Sequence, residues 1–204
     1  MGGEWGMTED RTLGETFLRG PRVRVRPMER ADLPRYQELF SDPELSMSYG
    51  GLGVPDNLAK LQRGYDAGEY DTTDRFLMLV IEAEGTVIGS MVLKNEENLP
   101  SRSATFGIII GDREYLDRGY GTEACMLFLD YAFAVLGYHK INLDFFEYNA
   151  RAQAMYKKLG FVMEGRRREN HWSRGRFWDD ILMGVTAEEW WDKHGRPRPP
   201  GFAR

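Results

Sequence analysis

Between Phe106 and Val135 the chain changes period once, and the change narrows its fold more than any other feature. Phe106 to Ile110 reads as a strand, Gly111 to Asp117 as a short polar loop, and from Tyr120 the apolar residues Ala124, Leu127, Phe128, Tyr131 and Val135 recur at helical steps until Gly137. The helix opens on Arg118-Gly119-Tyr120-Gly121-Thr122. A strand that feeds a glycine-bearing helix start aims several unpaired backbone N–H groups at one point, and the helix dipole adds positive character there. Gly119 and Gly121 leave room for a ligand to come close to the backbone. An anion is therefore expected at this turn. The chain has no G-x-x-x-x-G-K-[ST], and its G-x-G lacks the third glycine and the acidic residue of a dinucleotide-binding unit, so neither a P-loop nor a Rossmann site is supported.

Around this segment the elements alternate. Arg22 to Arg26 alternates arginine with valine and reads as a half-buried strand, and Asp32 stands where it could cap a helix carrying Leu33, Tyr36 and Phe40 on one face. Ser41 to Thr73 is rich in glycine and proline, with a helical pattern only around Asn57 to Tyr65. It reads as a long connection of the kind that forms binding loops or irregular scaffold. Phe76 to Glu82 and Thr86 to Lys94 form a hairpin across Ala83-Glu84-Gly85, and a further strand covers Ala104 to Ile110. Ile141 to Phe146 is a strand. Asn149 caps a helix whose Ala152, Met155, Tyr156 and Leu159 share a face, and Gly160 ends it. Two last strands, Phe161 to Glu169 and Arg176 to Val185, meet across Ser173-Arg174-Gly175.

These motifs together resemble the GNAT superfamily of acyl-CoA N-acyltransferases. The matching residues are Phe106 to Ile110 with Leu116 to Ala124, then Asn149-Ala150-Arg151-Ala152, Tyr156 to Phe161, Glu164-Gly165 and Trp178 to Met183. The chain is most similar to the branch of ribosomal-protein N-terminal acetyltransferases and spermidine acetyltransferases. The resemblance implies an α/β fold: a mostly antiparallel mixed sheet with two splayed parallel strands, flanked by helices. It also implies acetyl-CoA as cosubstrate, transfer of its acetyl group to a primary amine, and no metal. The acceptor would be a protein N-terminus, a polyamine or another small amine.

The resemblance places coenzyme contacts at Ile108, Ile109, Ile110, Leu116, Arg118, Gly119, Tyr120, Gly121, Thr122, Asn149 and Ala152. The family often has Gln or Arg where this chain has Leu116, so the pyrophosphate would rest on backbone N–H groups, with Arg118 able to compensate. Tyr156 matches the tyrosine that protonates the departing sulfur. Asp144 and Glu147 are candidate general bases beside a water-relayed route, and Glu123 reads as a helix-dipole partner. A module that binds acyl-CoA or a protein without turnover is the alternative to an enzyme, and retention of Tyr156 favours the enzyme.

Composition excludes other classes. A net charge of −5 argues against a nucleic-acid surface, although Arg166 to Arg168, Arg174 and Arg176 could make a local patch. A single cysteine, Cys125, on an apolar stripe carries no disulfide and no expected chemistry. His139, His171 and His194 lack metal-ligand spacing. No run approaches a membrane span of about 18 apolar residues, so a cytoplasmic protein without a membrane partner is expected. The domain is expected over residues 17–192, with flexible segments at 1–16 and 193–204. Trp172, Phe177 and Trp178 on the last two strands would wall the acceptor groove, pack internally, or make a homodimer contact.

Overall fold

The computed structural model describes residues 18–49, 55–73, 76–95 and 102–198. In chain order its elements are β1 (Leu18–Arg19), β2 (Val23–Pro27), α1 (Leu33–Phe40), α2 (Pro43–Ser48), α3 (Leu58–Asp66), β3 (Phe76–Ala83), β4 (Thr86–Lys94) and β5 (Ser103–Ile110). They continue with α4 (Tyr120–Ala134), β6 (Lys140–Phe146), α5 (Ala150–Leu159), β7 (Val162–Ser173), β8 (Arg176–Thr186) and α6 (Ala187–His194). The strands form one eight-stranded sheet in the order β1-β2-β3-β4-β5-β6-β8-β7.

Neighbours in this sheet are antiparallel except β5 and β6. The parallel pair is in register only at Ser103–Lys140, Ala104–Ile141 and Thr105–Asn142, beyond which the two strands part. This is the mixed sheet with a splayed parallel pair that the sequence resemblance implies. The expected hairpins are also present, each on a two-residue turn with both residues at positive φ: Glu84-Gly85 at 54° and 78°, Arg174-Gly175 at 55° and 77°. Turns of this hand match the twist of the strands they join.

The sheet has two covered faces. On one, Phe128, Phe133, Leu129 and Cys125 of α4, Tyr156 and Leu159 of α5, and Trp190 of α6 pack on Val25, Ile81, Phe106, Ile141 and Leu143. On the other, Leu33 and Leu39 of α1 and Leu61 of α3 pack on Met78 and Val80. Burial on α4 centres on Ala124, Cys125, Phe128, Leu129, Ala132 and Phe133. Val135, placed on the buried stripe from sequence, is 68% exposed because it lies past the last helical turn.

Three further expectations change. Asp32 precedes α1 but makes no side-chain cap there. Its carboxylate instead takes two hydrogen bonds from Arg26, at 2.7 and 2.8 Å, and one from the Glu29 N–H. Burial pushes that carboxyl up, but the Arg26 and Glu29 hydrogen bonds outweigh it and hold it below the ordinary range. Within Ser41 to Thr73 the sequence pattern missed α2, which starts on Asp42 as N-cap, with its Oδ1 accepting from Glu44 N at 2.9 Å, and Pro43 at the first helical position. Finally, the segment from Lys193 begins inside α6. Thr186 and Glu189 form a capping box for that helix, and Arg196 beyond it pairs with Asp130 at 2.7 Å. The expectation for residues 1–16 lies outside the described residues.

Candidate active site

Where β5 and β6 part, a cleft of about 430 Å³ opens, lined by β5, the loop after it, the start of α4, and α5. The loop is shaped locally. Gly111 N donates to Ile88 O at 2.9 Å, and Asp112 Oδ1 accepts from Glu114 N at 2.9 Å, so the chain turns off the sheet in one 3₁₀ turn. Asp117 at φ 58° and Gly119 at φ 86° then reverse it into α4. The first bond of the helix runs from Glu123 N to Gly119 O at 3.0 Å. The N–H groups of Tyr120, Gly121 and Thr122 accordingly have no carbonyl within the helix.

Most of the expected coenzyme residues meet at this cleft: Ile108, Ile109, Ile110, Leu116, Gly119, Gly121, Thr122, Asn149 and Ala152, together with Tyr156. Asn149 is also the N-cap of α5, its Oδ1 accepting from Ala152 N at 3.1 Å. Two expected residues are not in the lining. Arg118, outside the lining, donates to Glu114 O at 3.2 Å and lies over the rings of Tyr115 and Tyr120. Tyr120 is buried, with its hydroxyl 3.3 Å from Glu84 Oε1. Its contribution at the turn is its backbone. Glu123 accepts from Arg22 N and Arg22 Nε, both at 2.8 Å, and so fastens β2 to the helix start.

Tyr156 is buried between Phe145 and Phe161, with ring centroids 5.8 and 5.6 Å away. Burial, with smaller contributions from Cys125, Tyr49 and Asp144, holds its hydroxyl protonated well above the usual phenol range. The two candidate bases differ. Asp144 lies on β6 outside the lining with its side chain reaching solvent, and partial desolvation raises its carboxyl, opposed by Arg167 and aided by Asp180. Glu147, at the end of β6, is paired with Arg166 at 2.8 Å, and the same guanidinium reaches Asp179 at 2.9 Å.

Sequence reasoning missed several lining residues. Arg151, Met155 and Lys158 recur at helical steps on α5, a signal legible beside the Ala152–Tyr156 stripe. Arg151 pairs with Asp117 at 3.0 Å across the mouth of the phosphate turn. Leu45 and Tyr49, from α2 and its C-cap, close the other side, and no local pattern marks them. A Cβ built on Gly107 would lie 3.1 Å from the Tyr49 hydroxyl, so a side chain there would press on that ring where it meets β5.

An open-edged strand, three convergent N–H groups, two cations on α5 and a buried phenol beside the gap define an acyl-CoA transferase site. The comparisons agree. The model of the Acetyltransferase (GNAT) domain matches residues 22–162. A spermidine N(1)-acetyltransferase of Escherichia coli is 32% identical over 175 residues, covering 86% of this chain and 91% of the relative. A putative ribosomal N-acetyltransferase of Bacillus subtilis is 26% identical over 52% of this chain and 57% of its own length. The crystal structure of spermidine N-acetyltransferase from Vibrio cholerae in complex with CoA and spermine superposes with a TM-score of 0.74 at 27% identity, covering 84% of this chain and 99% of that one.

The chain belongs to the GNAT family. It is an acetyl-CoA-dependent N-acetyltransferase, and the cleft fits that cosubstrate: its lining combines the free N–H groups at the start of α4 and the cations Arg151 and Lys158 with apolar Ile108, Ile109, Ile110 and Met155. When bound, acetyl-CoA supplies an activated acetyl thioester for transfer to an amine. Among the described residues no helix is long and apolar enough to cross a membrane, and no three His, Cys, Asp or Glu side chains are grouped to hold a metal.

Proposed function

We propose that this enzyme acetylates a small primary amine of the polyamine type by direct attack of the amine on the thioester, with Tyr156 as general acid. The observation that carries this is the placement of Tyr156: a buried, protonated hydroxyl lining the cleft where β5 has lost its partner strand. The three free N–H groups at the start of α4 hold the pyrophosphate, and the exposed edge of β5 from Phe106 to Ile110 offers a backbone N–H to the thioester carbonyl as charge develops on it. The spermidine acetyltransferase relatives, matched over nearly their full length, support a small polycationic acceptor over a protein N-terminus. An amine panel read by free thiol release tests the assignment. Turnover with spermidine-like amines is expected, whereas tight coenzyme binding with no turnover on any amine would identify a binding module instead.

Asp144 serves as the base, through water, in preference to Glu147. A carboxyl raised by partial desolvation is a stronger proton acceptor once ionised, and it is unavailable below its own pKa. Activity on the acceptor is thus expected to rise with pH through that raised pKa. Asp144→Asn should lower kcat/KM by about 100-fold, at the low end of general-base effects, and flatten that limb. Glu147→Gln should change it less than about threefold, outside that range. Equal losses in both variants would remove Asp144 from the role.

The enzyme is further proposed to self-associate. Trp172 and Phe177 form an exposed edge-to-face pair at the β7–β8 tip, and Val162 and Met163 stand exposed on the edge strand β7. The Vibrio cholerae relative is described as dodecameric in one of its structures. Light scattering should give a mass at least twice that of the chain, and Trp172→Ser with Phe177→Ser should lower it. A monomer at every workable concentration contradicts this.

A further inference from the structure

The turn between β1 and β2 runs Gly20-Pro21-Arg22-Val23 and is closed by Gly20 N donating to Val23 O at 2.8 Å. It stands against the start of α4, far from it in sequence. The Glu123 carboxylate, 15% exposed, accepts from Arg22 N and Arg22 Nε at 2.8 Å each and from Val23 N at 3.2 Å. Two backbone N–H groups thus join the strand to the helix already, and the Arg22 guanidinium goes further. Its Nη1 donates to the Arg118 carbonyl at 3.0 Å, its Nη2 stands 3.3 Å from where a Gly119 Cβ would be, and its Cζ lies 4.7 Å from the centre of the Tyr120 ring. One side chain reaches three consecutive residues of the phosphate turn.

That turn needs to be held. Asp117 and Gly119 flank Arg118 and both take positive φ, 58° and 86°. A residue with a side chain keeps such a backbone only where its surroundings fix it. Arg151 pairs with Asp117, and Arg22 fixes the peptide that follows Arg118. In a planar trans peptide the C=O and the next N–H point in opposite directions. With the Arg118 C=O drawn to Arg22, the Gly119 N–H is aimed away from the guanidinium. Gly119 lines the cleft, and among the described residues its N–H has no protein acceptor. The Arg22 side chain is 48% exposed, and ion pairs so exposed add little to stability. Its contacts therefore act on the shape of the turn more than on the fold.

We propose that Arg22 is the positioning residue of the phosphate turn: by holding the Arg118–Gly119 peptide it presents the Gly119 N–H, beside those of Tyr120, Gly121 and Thr122, to the pyrophosphate of acetyl-CoA. Arg22 acts through the backbone, not by contact with the coenzyme. This rests on the reading that places the pyrophosphate at the start of α4, which Gly121→Asp tests by itself.

Arg22→Gln leaves both backbone N–H groups on Glu123, so β2 stays joined to α4, and it removes the guanidinium fork. Calorimetry should show the acetyl-CoA dissociation constant rising about fivefold, the size of one hydrogen bond, with the melting temperature nearly unchanged. A double-variant cycle with Gly121→Asp separates positioning from general loosening. Once Gly121→Asp has driven the pyrophosphate from the turn, Arg22→Gln has nothing more to disturb, so the double variant should bind as Gly121→Asp alone does. Arg22→Met, which keeps an apolar stem over the Tyr120 ring, carries the same cycle if Arg22→Gln does not fold. Unchanged affinity in a folded Arg22 variant overturns the proposal and leaves the phosphate turn in place. An additive loss in the cycle overturns it as well, because the effect would then not pass through the turn. Affinity regained in Arg22→Gln with Glu123→Gln would trace the loss to an unbalanced carboxylate and also overturn it. If Gly121→Asp itself binds acetyl-CoA as wild type does, the reading of the turn fails and the positioning role falls with it.

Discussion

Tyr156→Phe is expected to lower kcat by about 100-fold or more while leaving acetyl-CoA affinity nearly unchanged, because general-acid contributions commonly span about 10² to 10⁴. The substitution removes one oxygen. The ring keeps its neighbours Phe145 and Phe161 and its place on the buried stripe of α5, so packing changes little. The lost group is the hydroxyl that burial keeps protonated, and a protonated group is what a departing thiolate requires. Single-turnover kinetics with a competent amine should show the slow step in acetyl transfer itself. Coenzyme dissociation, followed by calorimetry, should shift by less than about threefold, under 0.7 kcal/mol. A variant that turns over at the wild-type rate when chemistry is limiting would assign proton delivery to water and leave Tyr156 as a core residue.

How far the site could be read from the sequence depended on whether its parts are local. The phosphate turn is a property of consecutive residues: a strand end, an αL glycine at Gly119 and free N–H groups at one helix start. Local periodicity and glycine placement reveal it, and the same holds for Asn149 as a cap and Tyr156 on its stripe. Side-chain direction is not local. Arg118 adjoins the glycines and yet lies over Tyr115 and Tyr120, because those two rings, themselves packed at 5.1 Å, offer a surface for it. Arg151, 33 residues further on by the numbering, faces the turn in its stead through Asp117.

The side of the cleft closed by α2 was the least legible. Tyr49 reaches β5 only because α2 folds back over the sheet, held by Arg113 to Asp42 at 2.6 Å and to Glu44 at 3.0 Å, and by Arg174 to Glu44 at 3.4 Å. These ion pairs join three segments that sequence spacing leaves unrelated. Asp32 shows the same limit in miniature. Its position before Pro34 suits a cap, but the pairing with Arg26 on a neighbouring strand takes the carboxylate away from the helix. The splay of β5 from β6 also depends on tertiary contact. A Cβ on Gly89 would lie 2.1 Å from Ile109 O, so the neighbouring strand must carry glycine for β5 to run where it does.

Gly121→Asp is expected to raise the acetyl-CoA dissociation constant at least tenfold, about 1.4 kcal/mol, while the protein stays folded. The two effects of the substitution have opposite signs, and that makes it informative. A Cβ at Gly121 meets Ile110 Cγ1 at 3.4 Å and Met155 Sδ at 3.5 Å, which is ordinary contact, so bulk alone is tolerated and Gly121→Ala should bind nearly as wild type. A carboxylate in the first turn of α4 also favours the helix through its dipole. Stability should therefore hold or rise. The same carboxylate competes for the N–H groups of Gly121 and Thr122 and repels the pyrophosphate that needs them, so binding falls for an electrostatic reason alone. Because charges at this turn are exposed to solvent, part of the loss should be recovered in high salt. Calorimetry on the folded Asp and Ala variants decides it. Equal affinity in both would place the coenzyme's pyrophosphate away from the start of α4.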